Sequence, residues 1–359
     1  MNEQKTKDNK ELKQYKNVLG LTALLLGGQI GAGYASGREV VTFFGDYGWF
    51  NIILFFILIF GYAILLINYA KVAQQIKAQN ITDVTKAAFG KFSFVANMLL
   101  VISMFSGLSA TIAGVDSVAN NIFSSYNFPL ISIAITILVV IIVSGGLEGI
   151  LKFASIITPL LIITLFGTIF YFLIFGSHEL VIMPNIDEGV MGLGIISALF
   201  YVGSNLNTSS AIITQLNQKF DFKTLKFSAF LFATFFSLGI IFIIISIYLS
   251  GNVNFYSELP MSHIASSLSS AFGVFYNIIL FFAMTMTITA VSFSLTHWFK
   301  KYVKNNRFYT VSIIIALAFL VSRLGFGVII DYIYPVKGFG GLIVGLGVFI
   351  YYIRQKRKK

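Results

Sequence analysis

The chain has no cysteine, which excludes disulfides, thiolate metal sites and thiol nucleophiles together. Histidine is scarce, and His178, His263 and His297 are too far apart in sequence to suggest a metal-ligand motif. Charge is scarce as well. Only 11% of the 359 residues are charged, against about 25% in a soluble domain. A polar surface of normal size cannot be built from so few, so lipid must be the solvent for most of this chain. Hydrophobic residues make up the difference, at 57%. The net charge of +11 does not indicate nucleic acid, because the basic residues sit at the ends and in short loops between apolar runs. Residues 1–16, "MNEQKTKDNKELKQYK", are polar, and the apolar run after them continues into a full span, so no cleavable signal is expected.

A hydrocarbon core needs about 20 apolar residues per helix. On that basis the chain predicts ten spans, at 17–44, 49–72, 93–123, 128–147, 149–176, 189–216, 224–250, 264–299, 308–324 and 336–353. With the N-terminus inside, all of the 25 lysines and arginines except Arg38, Arg323 and Lys337 fall on one side. The opposite loops carry acids, as in "SHELVIMPNIDEG" and "SGNVNFYSELP". Both termini are therefore expected in the cytoplasm. The predicted division is a tail at 1–16, helices 1–5 at 17–176, an outer loop at 177–188, helices 6–10 at 189–353 and a basic tail at 354–359. A short surface helix is expected within 73–92, a second outside at 325–335, and a kink at Pro159. Ten spans split into five plus five, and an odd number per half makes the halves inverted repeats.

Inverted repeats of this kind build their sites where the first helix of each half is interrupted. Span 1 contains "GGQIGAGYASGREV", residues 27–40, with glycines at the break and two charges just beyond it. Span 6 contains "GIISALFYVGSNLNTSSAI", with Gly203 ringed by Ser204, Asn205, Asn207, Thr208, Ser209 and Ser210. Both spans are expected to be discontinuous. Unwinding frees N–H groups suited to a carboxylate and carbonyls suited to an ammonium group or Na⁺. A zwitterion uses both. Glycine also lets membrane helices pack closely, and the coincidence of the two spans favours a site.

Arg38 and Glu39 need partners inside a membrane. Adjacent helical residues diverge by about 100°, so Asp331 is the expected partner of Arg38, and Arg38, Glu39 and Asp331 are expected together at the outer end, as a gate or as a static anchor. Asp116 in span 3 is either solvated or on the pathway. Span 8 carries Thr285, Thr287, Thr289, Ser292 and Ser294, hydroxyls that suit a small hard cation or that bond back to their own helix.

At these residues the sequence resembles the amino acid–polyamine–organocation (APC) superfamily, whose fold is the LeuT-like one. "GQIGAGYASG" resembles the break of its first helix and "ALFYVGSN" the break of its sixth. The longer "GAGYASGREVVTFFGDYGWF" resembles the "GAGFASGQE…FF…G" signature of YkvI-like bacterial membrane proteins, an amino acid permease family. The resemblance implies an all-α integral membrane fold of ten helices in two five-helix inverted repeats, with helices 1 and 6 discontinuous. It implies a substrate carboxylate at the amides around Gly31, Ala32 and Gly33, and an ammonium group at carbonyls around Phe200, Tyr201 and Gly203, with Ser204 and Asn205 beside them. It implies a sodium site from Gly27 and Ile30 with Ala283 and Thr287. Met286 stands where sodium-coupled relatives often supply a second hydroxyl, so a proton is the alternative coupling ion.

The function expected is a secondary transporter in a bacterial cytoplasmic membrane. It would move an amino acid or similar small polar solute by alternating access, as a symporter with Na⁺ or H⁺ and no other cofactor. A ligand sensor with the same fold is the alternative. No enzyme is expected, and the partners are a small solute and the lipid bilayer rather than nucleic acid.

Overall fold

The computed structural model describes residues 2–123, 129–145, 148–180, 187–251, 255, 257–299 and 306–357. Helices α1 (Asn2–Gln29), α2 (Ala32–Ser36) and α3 (Arg38–Phe44) replace the single first span of the sequence reading. The helix also runs back through the polar tail, which had been expected to lie outside it. A 3₁₀ segment, Gly45–Phe50, leads into α4 (Asn51–Gln75). There follow α5 (Ile81–Phe89), α6 (Ser93–Ile122), α7 (Leu130–Gly145), α8 (Glu148–Phe175), α9 (Glu188–Gln215) and α10 (Phe222–Tyr248). The chain ends with α11 (Pro260–Leu268), α12 (Ser270–Phe299), α13 (Arg307–Ser322), α14 (Phe326–Val328), a π-helical turn at Ile329–Ile333, and α15 (Tyr334–Arg357). The described residues contain no β-strand.

Among the described residues, six segments are long and apolar enough to cross a membrane: Arg38–Gln75, Ile81–Ile122, Glu188–Gln215, Phe222–Tyr248, Ser270–Thr296 and Phe326–Arg357. Leu130–Gly145, Pro159–Phe175 and Arg307–Ser322 are shorter apolar helices. Aliphatic and aromatic side chains point outward in stripes, as with Ile53, Phe56, Phe60 and Ile64 on α4. Spacings of three and four put them on one face, which suits lipid rather than water.

Local signals set the ends. Asn80 and Asp83 form a reciprocal capping box at α5, the expected surface helix. Asp187 accepts from the Val190 amide at 2.8 Å to start α9. The expected span 8 divides because Ser269 is extended (φ −167°, ψ 149°), ending α11 and releasing α12. The short helix expected at 325–335 is α14 with its π turn. Pro159 lies inside α8. The expected turn between spans 4 and 5, the outer loop and the end of the basic tail include residues 146–147, 181–186 and 358–359, which lie outside the described residues.

The core is built round α9, which packs against α15 and α4, with α10 also against α4 and α12 against α6. The α9–α15 contact is backbone against backbone. A Cβ at Gly203 would lie 2.1 Å from the Gly338 carbonyl oxygen, and one at Gly341 would lie 2.0 Å from that of Gly203. Only glycine permits such an approach.

Candidate functional site

The break in the first span is real and has two parts. The Gly31 amide donates to Gln29 O at 2.9 Å instead of to Gly27 O, so the α1 ladder ends there. Gly31 is extended (φ −108°, ψ −167°) and Gly37 is left-handed (φ 82°, ψ −12°). Between them α2 is buried at every residue. Tyr34 donates to Phe236 O at 2.9 Å, and Tyr276 donates to Ala35 O at 2.6 Å, fixing α2 against α10 and α12.

Glu39 marks the inner face of this break. It is buried, with 6% of its surface exposed. Asn205 of α9 donates to its Oε1 at 3.0 Å and to Ser204 Oγ at 3.1 Å. Gln29 in turn donates to Asn205 O at 2.6 Å. A Cβ at Gly33 would lie 2.6 Å from Glu39 Oε2, so this carboxylate sits directly over the glycine of the break. Glu39 was expected beside Arg38 at an outer gate, and it is turned inward instead. Four buried tyrosines, Tyr34, Tyr62, Tyr201 and Tyr334, lie within reach of its charge. So does Lys337 at the start of α15, which the sequence reading leaves unassigned. Among the described residues only Arg38–Asp331 and Arg323–Asp116 close to ion-pair distance, so Glu39 and Lys337 do not form a salt bridge. The Lys337 Nζ rests 4.2 Å from the centroid of the Tyr334 ring.

The sixth span differs from expectation. It is one uninterrupted helix, α9, not a discontinuous one. The physical reason is that Gly203 serves packing against α15. The nearby hydroxyls of Ser204, Ser209 and Ser210 donate back to Tyr201 O, Asn205 O and Asn207 O. The Phe200 and Gly203 carbonyls expected to face a ligand lie against Gly338 and Gly341. The Tyr201 carbonyl accepts from Tyr62, Ser204 and Asn205. Of the expected span 6 groups, Asn205 is the one whose side chain reaches across to the first span.

The hydroxyls of the eighth span mostly take the bland option. Thr285, Thr287, Thr289 and Ser294 each donate to the carbonyl four residues back. Thr287 is the one turned to the break, since a Cβ at Gly31 would lie 3.8 Å from its Oγ1. Ile30 and Ala283 are buried and Gly27 partly so, all in this neighbourhood.

Next to Glu39 in the chain, Arg38 pairs with Asp331 through Nη2 and donates to Ser257 O at 3.3 Å. Thr42 donates to Asp331 Oδ1 at 2.6 Å. Asp116, expected to be solvated or on the pathway, accepts from Arg323 at 2.7 Å and from Ser132 at 2.9 Å. It therefore ties α6 to α7 and α13.

This helical bundle shares its fold with solved membrane transporters. The chain superposes on MHP1, a nucleobase-cation-symport-1 family transporter solved closed around bromovinylhydantoin, with a TM-score of 0.59 and 16% identity. That match covers 88% of this chain and 74% of MHP1. A mutant manganese transporter of Eremococcus coleocola superposes with a TM-score of 0.54 and 12% identity, over 90% of this chain and 75% of that one. In sequence the chain is 23% identical to the membrane protein YkvI of Bacillus subtilis (strain 168) over 331 residues, 90% of this chain and 92% of YkvI. It is 24% identical to YyaD of the same organism over 347 residues, 93% of this chain and 97% of YyaD. The resemblance to YkvI-like proteins thus holds along nearly the whole chain. No family model matches it.

Proposed function

We propose that this protein is a secondary transporter that carries an amino acid or similar small polar solute across the bacterial cytoplasmic membrane by alternating access, coupled to Na⁺ or H⁺. The single observation that carries the reading is the Gly31–Gly37 break, buried in the bundle and faced by Glu39 and Asn205. An unwound segment with a carboxylate inside a membrane is costly, and a ligand site is what such a segment serves in transporters of this fold.

In this reading ten helices form two inverted five-helix repeats with both termini in the cytoplasm. The solute site lies at the break, with Gly31, Ala32 and Gly33 on one side, Tyr201, Ser204 and Asn205 on the other, and Glu39 standing over Gly33. A coupling cation sits at Gly27, Ile30, Ala283 and Thr287, or a proton replaces it. Arg38 and Asp331 are the outer gate. Spans 1 and 6 rock with 2 and 7 against 3, 4, 8 and 9.

Uptake by the purified chain in liposomes tests the proposal, with radiolabelled amino acids under an inward Na⁺ gradient, an inward proton gradient, or neither. Concentrative uptake of at least one amino acid under one gradient is expected. Absence of uptake for all of them under both gradients would refute it.

A further inference from the structure

The groups that family resemblance assigns to a solute's charged ends are occupied within the chain. Glu39 Oε2 covers Gly33, where a solute carboxylate was expected. The Phe200 and Gly203 carbonyls, where an ammonium was expected, are covered by Gly338 and Gly341. Two ionisable side chains remain, Glu39 at the break and Lys337 at the start of α15, the helix packed against α9. Glu39 is held by Asn205, and Lys337 is held on the face of Tyr334, itself within reach of Glu39. Gly338, the next residue after Lys337, fixes that lysine against Phe200 through backbone contact. Opposite charges in a medium of low dielectric attract strongly. These two are kept short of contact by separate anchors, whereas the outer Arg38–Asp331 and Arg323–Asp116 pairs have closed.

We propose that Glu39 and Lys337 are the two recognition ends of the solute site, Glu39 taking the ammonium group and Lys337 the carboxylate of a zwitterion lodged between them. The inference deepens the transporter reading and rests on it. A zwitterion supplies both missing partners in one step and makes a charge-assisted hydrogen bond at each end. A solute with one charge leaves the other residue unpaired, at a cost that falls in its affinity.

The test is equilibrium binding to the purified full-length protein. The standard amino acids are screened first, and the tightest binder is then compared with its decarboxylated amine and its deaminated acid. The wild type should favour the zwitterion by about thirtyfold or more over each analogue. Lys337→Met should lose or reverse the preference for the zwitterion over the amine while still rejecting the deaminated acid, and Glu39→Gln should lose or reverse the preference for the zwitterion over the acid while still rejecting the amine. Lys337→Arg and Glu39→Asp should restore the missing preference. Each result is a ratio of affinities within one variant, so a smaller folded fraction cancels. Binding with both preferences intact in Lys337→Met and Glu39→Gln would overturn the charge assignment and leave the transporter reading standing. No binding of any amino acid to the wild type, together with no uptake, would overturn both.

Discussion

Replacing Asp331 by Asn isolates the charge of the outer pair. The amide keeps the size of the carboxylate and an oxygen for Thr42, which donates to Oδ1 at 2.6 Å. What is lost is the ionic part of the contact with Arg38, whose side chain is 16% exposed against 31% for Asp331. A charge-assisted hydrogen bond contributes about 1.5–3 kcal/mol and a neutral one about 0.5–1.5. Partial exposure keeps the difference at the lower end, near 1–2 kcal/mol, which shifts a closed–open equilibrium by about five- to thirtyfold. The chain has no cysteine, so one introduced thiol reports without background. Ser36→Cys suits this, because Ser36 lies directly behind the pair and is 0% exposed. A membrane-impermeant thiol reagent added from outside should label Ser36→Cys about five to thirty times faster when combined with Asp331→Asn. Asp116→Asn, which removes a charge from the pair joining α6 to α13, should leave that rate unchanged. Equal labelling rates with and without Asp331→Asn would refute the gate and leave a static anchor.

Four further outcomes are expected, each read from thermal unfolding of the purified protein. Gly341→Ala should cost about 3 kcal/mol or more, because its Cβ would meet the Gly203 oxygen at 2.0 Å and backbone cannot yield as a side chain can. Gly107→Ala, with nothing within 4 Å, should instead be neutral or stabilise by about 0.5–1 kcal/mol. Gly37→Ala should cost at least about 1–2 kcal/mol, since φ 82° is left-handed and Met261 Cγ would stand 3.0 Å from the new atom. Burial lowers the pKa of His263 in α11 below the ordinary histidine value. The unfolded chain therefore binds that proton more readily, and stability present above about pH 6.5 should fall as pH drops through that value toward the depressed folded one. His263→Gln should flatten this part of the profile.

Much of the fold is legible in the sequence because lipid imposes length and polarity together. The break in the first span shows as glycines followed by charges, and Arg38–Asp331 shows as two lone opposite charges at the outer ends of apolar runs. The sixth span is read wrongly for a specific reason. Gly203 and its polar neighbours have the composition of an unwound segment, yet the same glycine permits backbone contact with α15, and serine bonds to its own helix as readily as to a ligand. Sequence carries no sign of which use applies until the partner helix is in place. The inward turn of Glu39 is hidden for a related reason. It is the residue next to Arg38, and the left-handed Gly37 before them sets which of the two faces the bundle.

Lys337 was detectable by a signal that went unused. Arg38, Arg323 and Lys337 are the basic residues that the inside-positive pattern leaves over, and each has an acidic counterpart, in Asp331, Asp116 and Glu39 respectively. A cation placed against the topological trend needs a carboxylate to offset its cost, so the exceptions to a topology rule point to where acids lie inside the protein. The three differ in a way that matters for function. The Arg38 and Arg323 pairs are closed and join elements at the outer end, which is what a latch or a brace requires. The Glu39–Lys337 pair stays open beside a helix that has been unwound and buried. Closed pairs have spent their attraction on each other, and the zwitterion proposed here would take up what Glu39 and Lys337 have not.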